Sequence, residues 1–179
     1  MIIAIDVSQT AYEKTGVANY VRHLVEELER IDEKNQYILF FSSLRKDFQF
    51  SNFHFPSKPK NVKVKTFKFP PLLLDILWNR LHIFPIEWFV GDIDVFISSD
   101  WTQPPTKKAK KVTVLYDLIV YRYPDETDHR IVETQKRRLN WVKKECDKIL
   151  CISDATKRDA MNILQIGEER LVVTKPGIS

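Results

Sequence analysis

The chain has 179 residues, 44% of them hydrophobic and 29% charged, and a net charge of +4 at pH 7. That length allows one domain with a full core, or a small pair, and the balance excludes an intrinsically disordered chain. No run of about 18 apolar residues is present to span a membrane, and the opening Met1-Ile-Ile-Ala-Ile-Asp6 is too short and too soon charged for a signal peptide.

Residues 1–7 read as a buried strand carrying Asp6 near its end, followed by a polar loop over 8–16. Val17, Val21, Leu24, Val25, Leu28 and Ile31 then recur at helical spacing, which predicts a helix from Gly16 to just before Asp32. A second strand follows at 37–41. The helix N-terminus faces the end of the first strand, a place that favours anions, and Gly16 beside it lets a ligand approach the backbone. A plain helix-start glycine fits the same residue. Four glycines occur, Gly16, Gly91, Gly167 and Gly177, and none is near another. Neither the dinucleotide fingerprint nor a P-loop is present, which disfavours a nicotinamide-dependent oxidoreductase.

Residues 44–60 are aromatic but irregular and read as a connection packed on the surface. A third strand is predicted at 62–67. The most apolar stretch, from Phe69 to Phe89, predicts a helix started by Pro70-Pro71 and broken near Pro85. It fits either core packing on the sheet or an apolar surface that touches lipid. His82 within it reads as a packed histidine. A fourth strand covers 94–98 and leads into Ser98-Ser99-Asp100-Trp101.

The fifth strand, 111–116, runs into Asp117, after which the apolar run resumes as Leu-Ile-Val. In an open parallel sheet, ligands gather at the carboxyl ends of the strands, so a carboxylate there is placed to work. Capping a turn or the next helix is the other reading of Asp117. Ile131, Val132, Gln135, Leu139, Val142 and Cys146 mark one face of a long helix, and 148–152 is a sixth strand. Ser153 is a good N-cap for a further helix with Asp154 in its first turn, and 171–174 is a seventh strand. Strands alternating with helices predict an α/β, Rossmann-like, open and mostly parallel sheet with helices on both faces, in a single domain over 1–179.

Basic residues cluster at Lys107, Lys108, Lys110 and Lys111, and again at Arg130, Lys136, Arg137, Arg138, Lys143, Lys144 and Lys148. Both clusters read as solvated faces. Functionally they would attract phosphate on lipid or nucleotide, and no nucleic-acid motif accompanies them. Cys146 and Cys151 match no zinc or redox spacing and read as buried free thiols of a reducing compartment.

Several separated pieces resemble the N-terminal domain of the retaining family 4 glycosyltransferases of the GT-B fold. They are Ile5-Asp6 followed by Gly16-Val-Ala-Asn-Tyr20, Val114-Leu-Tyr-Asp-Leu118 followed by Tyr123-Pro124, Ile152-Ser153-Asp-Ala-Thr156-Lys157, and residues 173–178 with Pro176-Gly177. The resemblance implies transfer of a sugar from a GDP- or UDP-sugar to a glycan or lipid-linked acceptor in polysaccharide or glycolipid synthesis. The nucleotide sugar is then a substrate, and no separate cofactor is implied. The loop up to Gly16 would lie under the donor phosphate and beside the acceptor, with Gly16, Val17, Asn19 and Tyr20 as substrate-binding residues. Ser153, Thr156 and Lys157 resemble the S-x-x-S/T-K motif facing an inter-domain cleft. Many members have His before the Asp of the fifth strand; Tyr116 stands there, so more of the catalytic role falls on Asp117, as hydroxyl-orienting group or base. No D-x-D metal motif is evident, Asp92-Ile-Asp94 entering a predicted strand. The chain stops where a hinge to a donor-binding domain would begin, so that domain is expected to be absent from it, and the isolated domain to be inactive. The basic clusters and the apolar stretch suit a cytoplasmic enzyme with peripheral membrane contact. The alternative is a noncatalytic Rossmann-like module that binds a glycan or protein.

Overall fold

A computed structural model describes residues 1–12, 14–55 and 59–177 of the chain. Residues 56–58 of the aromatic connection and Ile178 of the C-terminal motif lie outside the described residues. The aliphatic runs form seven strands: β1 (Ile2–Asp6), β2 (Gln36–Ser42), β3 (Val62–Phe67), β4 (Val95–Ser98), β5 (Lys110–Leu115), β6 (Lys148–Cys151) and β7 (Leu171–Val173). Their order is β3-β2-β1-β4-β5-β6-β7, and every neighbouring pair is parallel. Parallel neighbours need crossover connections; those after β2 and β4 contain no α-helix among the described residues, and those after β1, β3, β5 and β6 are supplied by helices. These are α1 (Gly16–Ile31), α2 (Pro71–Leu74) running into a π-helical segment (Asp75–Arg80), α3 (Glu87–Val90), α4 (Ile119–Arg122), α5 (His129–Glu145) and α6 (Asp154–Asn162).

The two-residue period of the strands decides what each face of the sheet buries. Ile5, Val7, Leu39 and Phe41 pack with Val21 and Val25 of α1. Ala4, Phe40 and Phe96 point the other way and pack with Trp78, Ile86 and Val90. A third cluster joins Leu139 and Val142 of α5 to Ile149 and Cys151 of β6 and Ala160 of α6. The helix ends have physical causes. Thr15 Oγ1 accepts from Ala18 N at 3.2 Å at the start of α1, and Ser153 Oγ accepts from Thr156 N at 3.0 Å at the start of α6. At the end of α5, Arg170 donates to the carbonyls of Lys143 (2.9 Å), Val142 (3.2 Å) and Cys146 (2.9 Å). Both cysteines are buried and unpaired, and burial pushes their thiols up, Cys146 to about 12 and Cys151 to about 11.

Several expectations need correction. The 69–89 segment leaves helical structure after Arg80, before Pro85, because His82 (φ 53°) and Phe84 (φ 63°) adopt left-handed backbone. Trp78 holds that turn, its Nε1 donating to Phe84 O at 3.0 Å and its own carbonyl lying 2.8 Å from His82 Nδ1. His82 is packed as predicted, stacked on Trp141 with centroids 3.7 Å apart. The polar loop before α1 contains a short 3-10 turn, Ser8–Ala11. Phe53, expected on a surface connection, is 6% exposed and belongs to the core on the α1 side. Ile131, expected on the buried face of α5, is 39% exposed. Arg138 and Lys111 leave the predicted solvated faces and are buried. Lys111 pairs with Glu145, and Arg138 turns toward polar groups on β5.

Candidate active site

In the strand order, β1 and β4 are neighbours from which the chain proceeds in opposite directions across the sheet. The crevice outside the carboxyl ends of such a pair is where open α/β sheets bind ligands. Here β1 ends on Asp6 and β4 runs into Ser99 and Asp100. Asp6 is buried, accepting from Ser8 N at 2.9 Å through Oδ1 and from Ser99 Oγ at 3.0 Å through Oδ2. Burial raises its carboxyl above the ordinary range, against the lowering effect of those hydrogen bonds.

Beside this pair opens a cleft of about 960 Å³, the size of a small-molecule site. Tyr12, Phe69, Leu72 and Trp101 supply apolar walls, Asp6, Asp75 and Asp100 supply carboxylates, and Arg45 and Lys46 add positive charge. Asp75 is held by Asn79 Nδ2 at 2.9 Å and by Arg80 Nε at 3.2 Å. Arg138, 1% exposed, donates to Thr113 Oγ1 at 2.8 Å and to Val114 O at 3.3 Å, with Nη1 3.8 Å from Asp100 Oδ1. Burial raises the Asp100 carboxyl, Arg138 opposes that rise, and Asp117 adds to it.

A second group of polar side chains adjoins the cleft at the ends of β5, β6 and β7. The rings of Tyr20 and Tyr116 meet edge to face at 5.6 Å. Thr156 Oγ1 donates to Tyr116 O at 3.0 Å and stands 3.0 Å from Ser153 Oγ, while Tyr20 Oη lies 2.8 Å from Thr174 Oγ1. The Tyr116 hydroxyl is buried and has no hydrogen-bond partner among the described residues. Burial, then the charge of Asp100, pushes its pKa well above the ordinary phenol range.

The structure thus brings Tyr20, Tyr116, Ser153 and Thr156 together, and Val17 lines the cleft. Asp117 is exposed, with Oδ1 accepting from Ile119 N at 3.0 Å at the start of α4, and it does not line the cleft. Asn19 points outward and is hydrogen-bonded to Arg22. Lys157 Nζ donates to Glu168 Oε1 at 2.8 Å. Gly16 is exposed, and a Cβ placed on it meets nothing within 4 Å among the described residues, so these do not require glycine there. Asp94 accepts from Ile2 N at 2.7 Å at the amino end of the sheet, away from the cleft. No group of three or more His, Cys, Asp or Glu side chains able to hold a metal occurs among the described residues.

Asp100 and Arg138 were not singled out as site residues from the sequence. For Asp100 a signal existed, an acid just past the end of a strand. Arg138 was hidden in a run of charges.

A family model described as Glycosyltransferase Family 4 matches residues 14–179. The chain belongs to glycosyltransferase family 4. No curated protein matches the chain. As a family 4 glycosyltransferase it carries its cleft where its parallel sheet favours ligand binding, and the match takes in α1, Tyr116, Asp117 and the start of α6.

Proposed function

We propose that this family 4 glycosyltransferase moves a sugar, with retention, from a GDP- or UDP-sugar to a hydroxyl of a lipid-linked glycan at a membrane surface. The observation that supports it most is the cleft at the β1/β4 switch point, where apolar walls and carboxylates face one space. Carboxylates suit sugar hydroxyls, and apolar walls suit a sugar ring face or an acyl or prenyl chain.

In this reading the acceptor occupies the cleft and the donor lies across the ends of β5 and β6. Gly16, Val17, Asn19 and Tyr20 form the first turn of α1 and its approach, a place that favours phosphate. Ser153, Thr156 and Lys157 open α6 toward a second, nucleotide-binding domain. Tyr116 meets the transferred sugar and Asp117 orients the reacting groups. The nucleotide sugar is a substrate, and no metal or further cofactor is assigned.

The membrane part of the reading draws on the exposed apolar side chains of the 69–89 segment. Leu72 lines the cleft and is 65% exposed. Further along the same segment Leu81 is 58% and Trp88 59% exposed, with Ile83 and Phe84 between them. Lys107 Nζ lies 5.3 Å from the Trp88 ring centroid, beside Lys108. Exposed apolar side chains with lysines beside Trp88 suit an anionic leaflet. No helix among the described residues is long and apolar enough to cross a membrane.

The test is release of nucleoside diphosphate by the full-length polypeptide from a panel of GDP- and UDP-sugars, with and without octyl glycosides. Acceptor-dependent release, lost in Asp117→Asn, is expected. No release from any donor would favour a noncatalytic binding module. In parallel, flotation with phosphatidylglycerol vesicles should exceed that with phosphatidylcholine and fall in Trp88→Ser; equal flotation would remove the membrane from the proposal.

A further inference from the structure

The hydrogen bonds sort the three carboxylates that line the cleft. Asp6 uses both oxygens, on Ser8 N and Ser99 Oγ. Asp75 likewise uses both, on Asn79 and Arg80. Asp100 is held by its backbone instead, its carbonyl accepting from Gln135 Nε2 at 2.7 Å. Among the described residues no hydrogen bond reaches its carboxylate, whose closest cation is Arg138 at 3.8 Å. The Asp100 side chain is 25% exposed and faces the cleft. Behind it Arg138 is 1% exposed, and its Nε has no partner among the described residues. A guanidinium is costly to bury without an opposite charge, and Asp100 is the only carboxylate within 4 Å of it among the described residues, Asp6 acting on it from farther away.

We infer that Asp100 is the residue that takes the hydrogen bond of the acceptor's reacting hydroxyl, with Arg138 as the positioning residue behind it. This rests on the glycosyl-transfer reading and adds the group that meets the acceptor. The ligand class is an alcohol, a sugar hydroxyl presented from the cleft. Location supports the assignment: Asp100 lines the cleft, yet its charge is felt by Tyr116 on the donor side, and Asp100 in turn feels the charge of Asp117. A hydroxyl bound to it therefore stands at the junction of the two substrates. The groups that face Asp100 are Arg138 from α5 and Tyr116 and Asp117 from the end of β5. Burial and Asp117 favour its protonated form, and Arg138 favours the carboxylate that accepts the hydroxyl.

The test is calorimetric binding of n-octyl β-D-glucopyranoside, below its micelle concentration, to the full-length polypeptide across acid to neutral pH. Donor turnover is followed in parallel. Wild type should bind, and binding should fade as pH drops through the Asp100 titration. Asp100→Asn should weaken binding about tenfold, the loss expected for one hydrogen bond to a charged group. Asp125→Asn, a change to an exposed carboxylate, should leave it unchanged. Arg138→Met should move the pH midpoint upward, which a purely structural role would not do. If that variant does not fold, Arg138→Lys should restore most of the binding with a midpoint near wild type. Wild-type affinity in Asp100→Asn overturns the inference, as does failure of wild type to bind the probe. Binding that depends on Asp100 without turnover of any donor would retire glycosyl transfer and keep the hydroxyl site. Turnover with binding indifferent to Asp100 would do the reverse.

Discussion

Replacing Tyr116 by Phe should stabilise the protein, contrary to the usual loss when a buried tyrosine gives up its hydroxyl. Among the described residues the Tyr116 hydroxyl is buried without a partner, whereas the ring itself packs edge to face on Tyr20 at 5.6 Å. Phenylalanine keeps the ring contact and removes only the unsatisfied group. Leaving a buried polar group unpaired costs about 1–3 kcal/mol. Tyr116 as a whole is only half-buried, so the lower end applies, about 1 kcal/mol, or a rise in Tm of about 2–4 °C for a domain of this size. Tyr20→Phe is the matched control, because the Tyr20 hydroxyl lies 2.8 Å from Thr174 Oγ1. It should lose about 1 kcal/mol. Urea unfolding of the two variants, with unchanged m-values, gives the comparison. A loss of stability in Tyr116→Phe similar to that in Tyr20→Phe would refute the reasoning and mean that the hydroxyl is satisfied. If the hydroxyl instead serves the transferred sugar, Tyr116→Phe should be more stable yet turn over more slowly.

Arg170→Ala should cost about 2 kcal/mol, since it strips charged donors from the last carbonyls of α5; Arg170→Lys should recover part of that in the same urea titration. Leu139→Ala, at a core position 2% exposed, should cost about 2–5 kcal/mol, and a change below about 1 kcal/mol would mean the site collapses freely. Asp32 accepts from the Tyr37 hydroxyl first of all, and from Asn35 and Lys34, which holds its carboxyl well below the usual range. A depressed folded value means its stabilisation is present above the unfolded value, about 3.9, and is lost as pH falls toward the folded one. Asp32→Ala should therefore lower Tm at neutral pH, and the gap to wild type should close as pH falls below about 4. A gap of constant size down to strongly acid pH would count against the assignment.

Hydrophobic period and end signals made most of the elements legible in the chain. Val21 and Val25 at helical spacing, Gly16 at the start and the polar Asp32 after Ile31 mark a helix by local rules, and the helix spans Gly16–Ile31. Val62–Phe67 and the Ser153 cap are local in the same sense. The 69–89 segment was less legible, because its break depends on Trp78 binding the backbone of Phe84, a contact that the proline at 85 does not reveal.

The sequence alone determined the seven strands and the long helices between several of them, the absence of a glycine-rich dinucleotide loop, and the motif residues that resemble family 4. These rest on interactions within a few residues of one another, or on residue identity. Only the tertiary structure decided which strands are neighbours, and hence that Asp6 and Asp100 share one cleft while Asp117 caps a turn beside it. Only it decided that Arg138 leaves a run of surface charges for the interior. A side chain's charge is written in the sequence, but its partner lies wherever the sheet brings a distant strand. For Arg138 those partners are Thr113 and Val114 on β5 and Asp100 beyond β4.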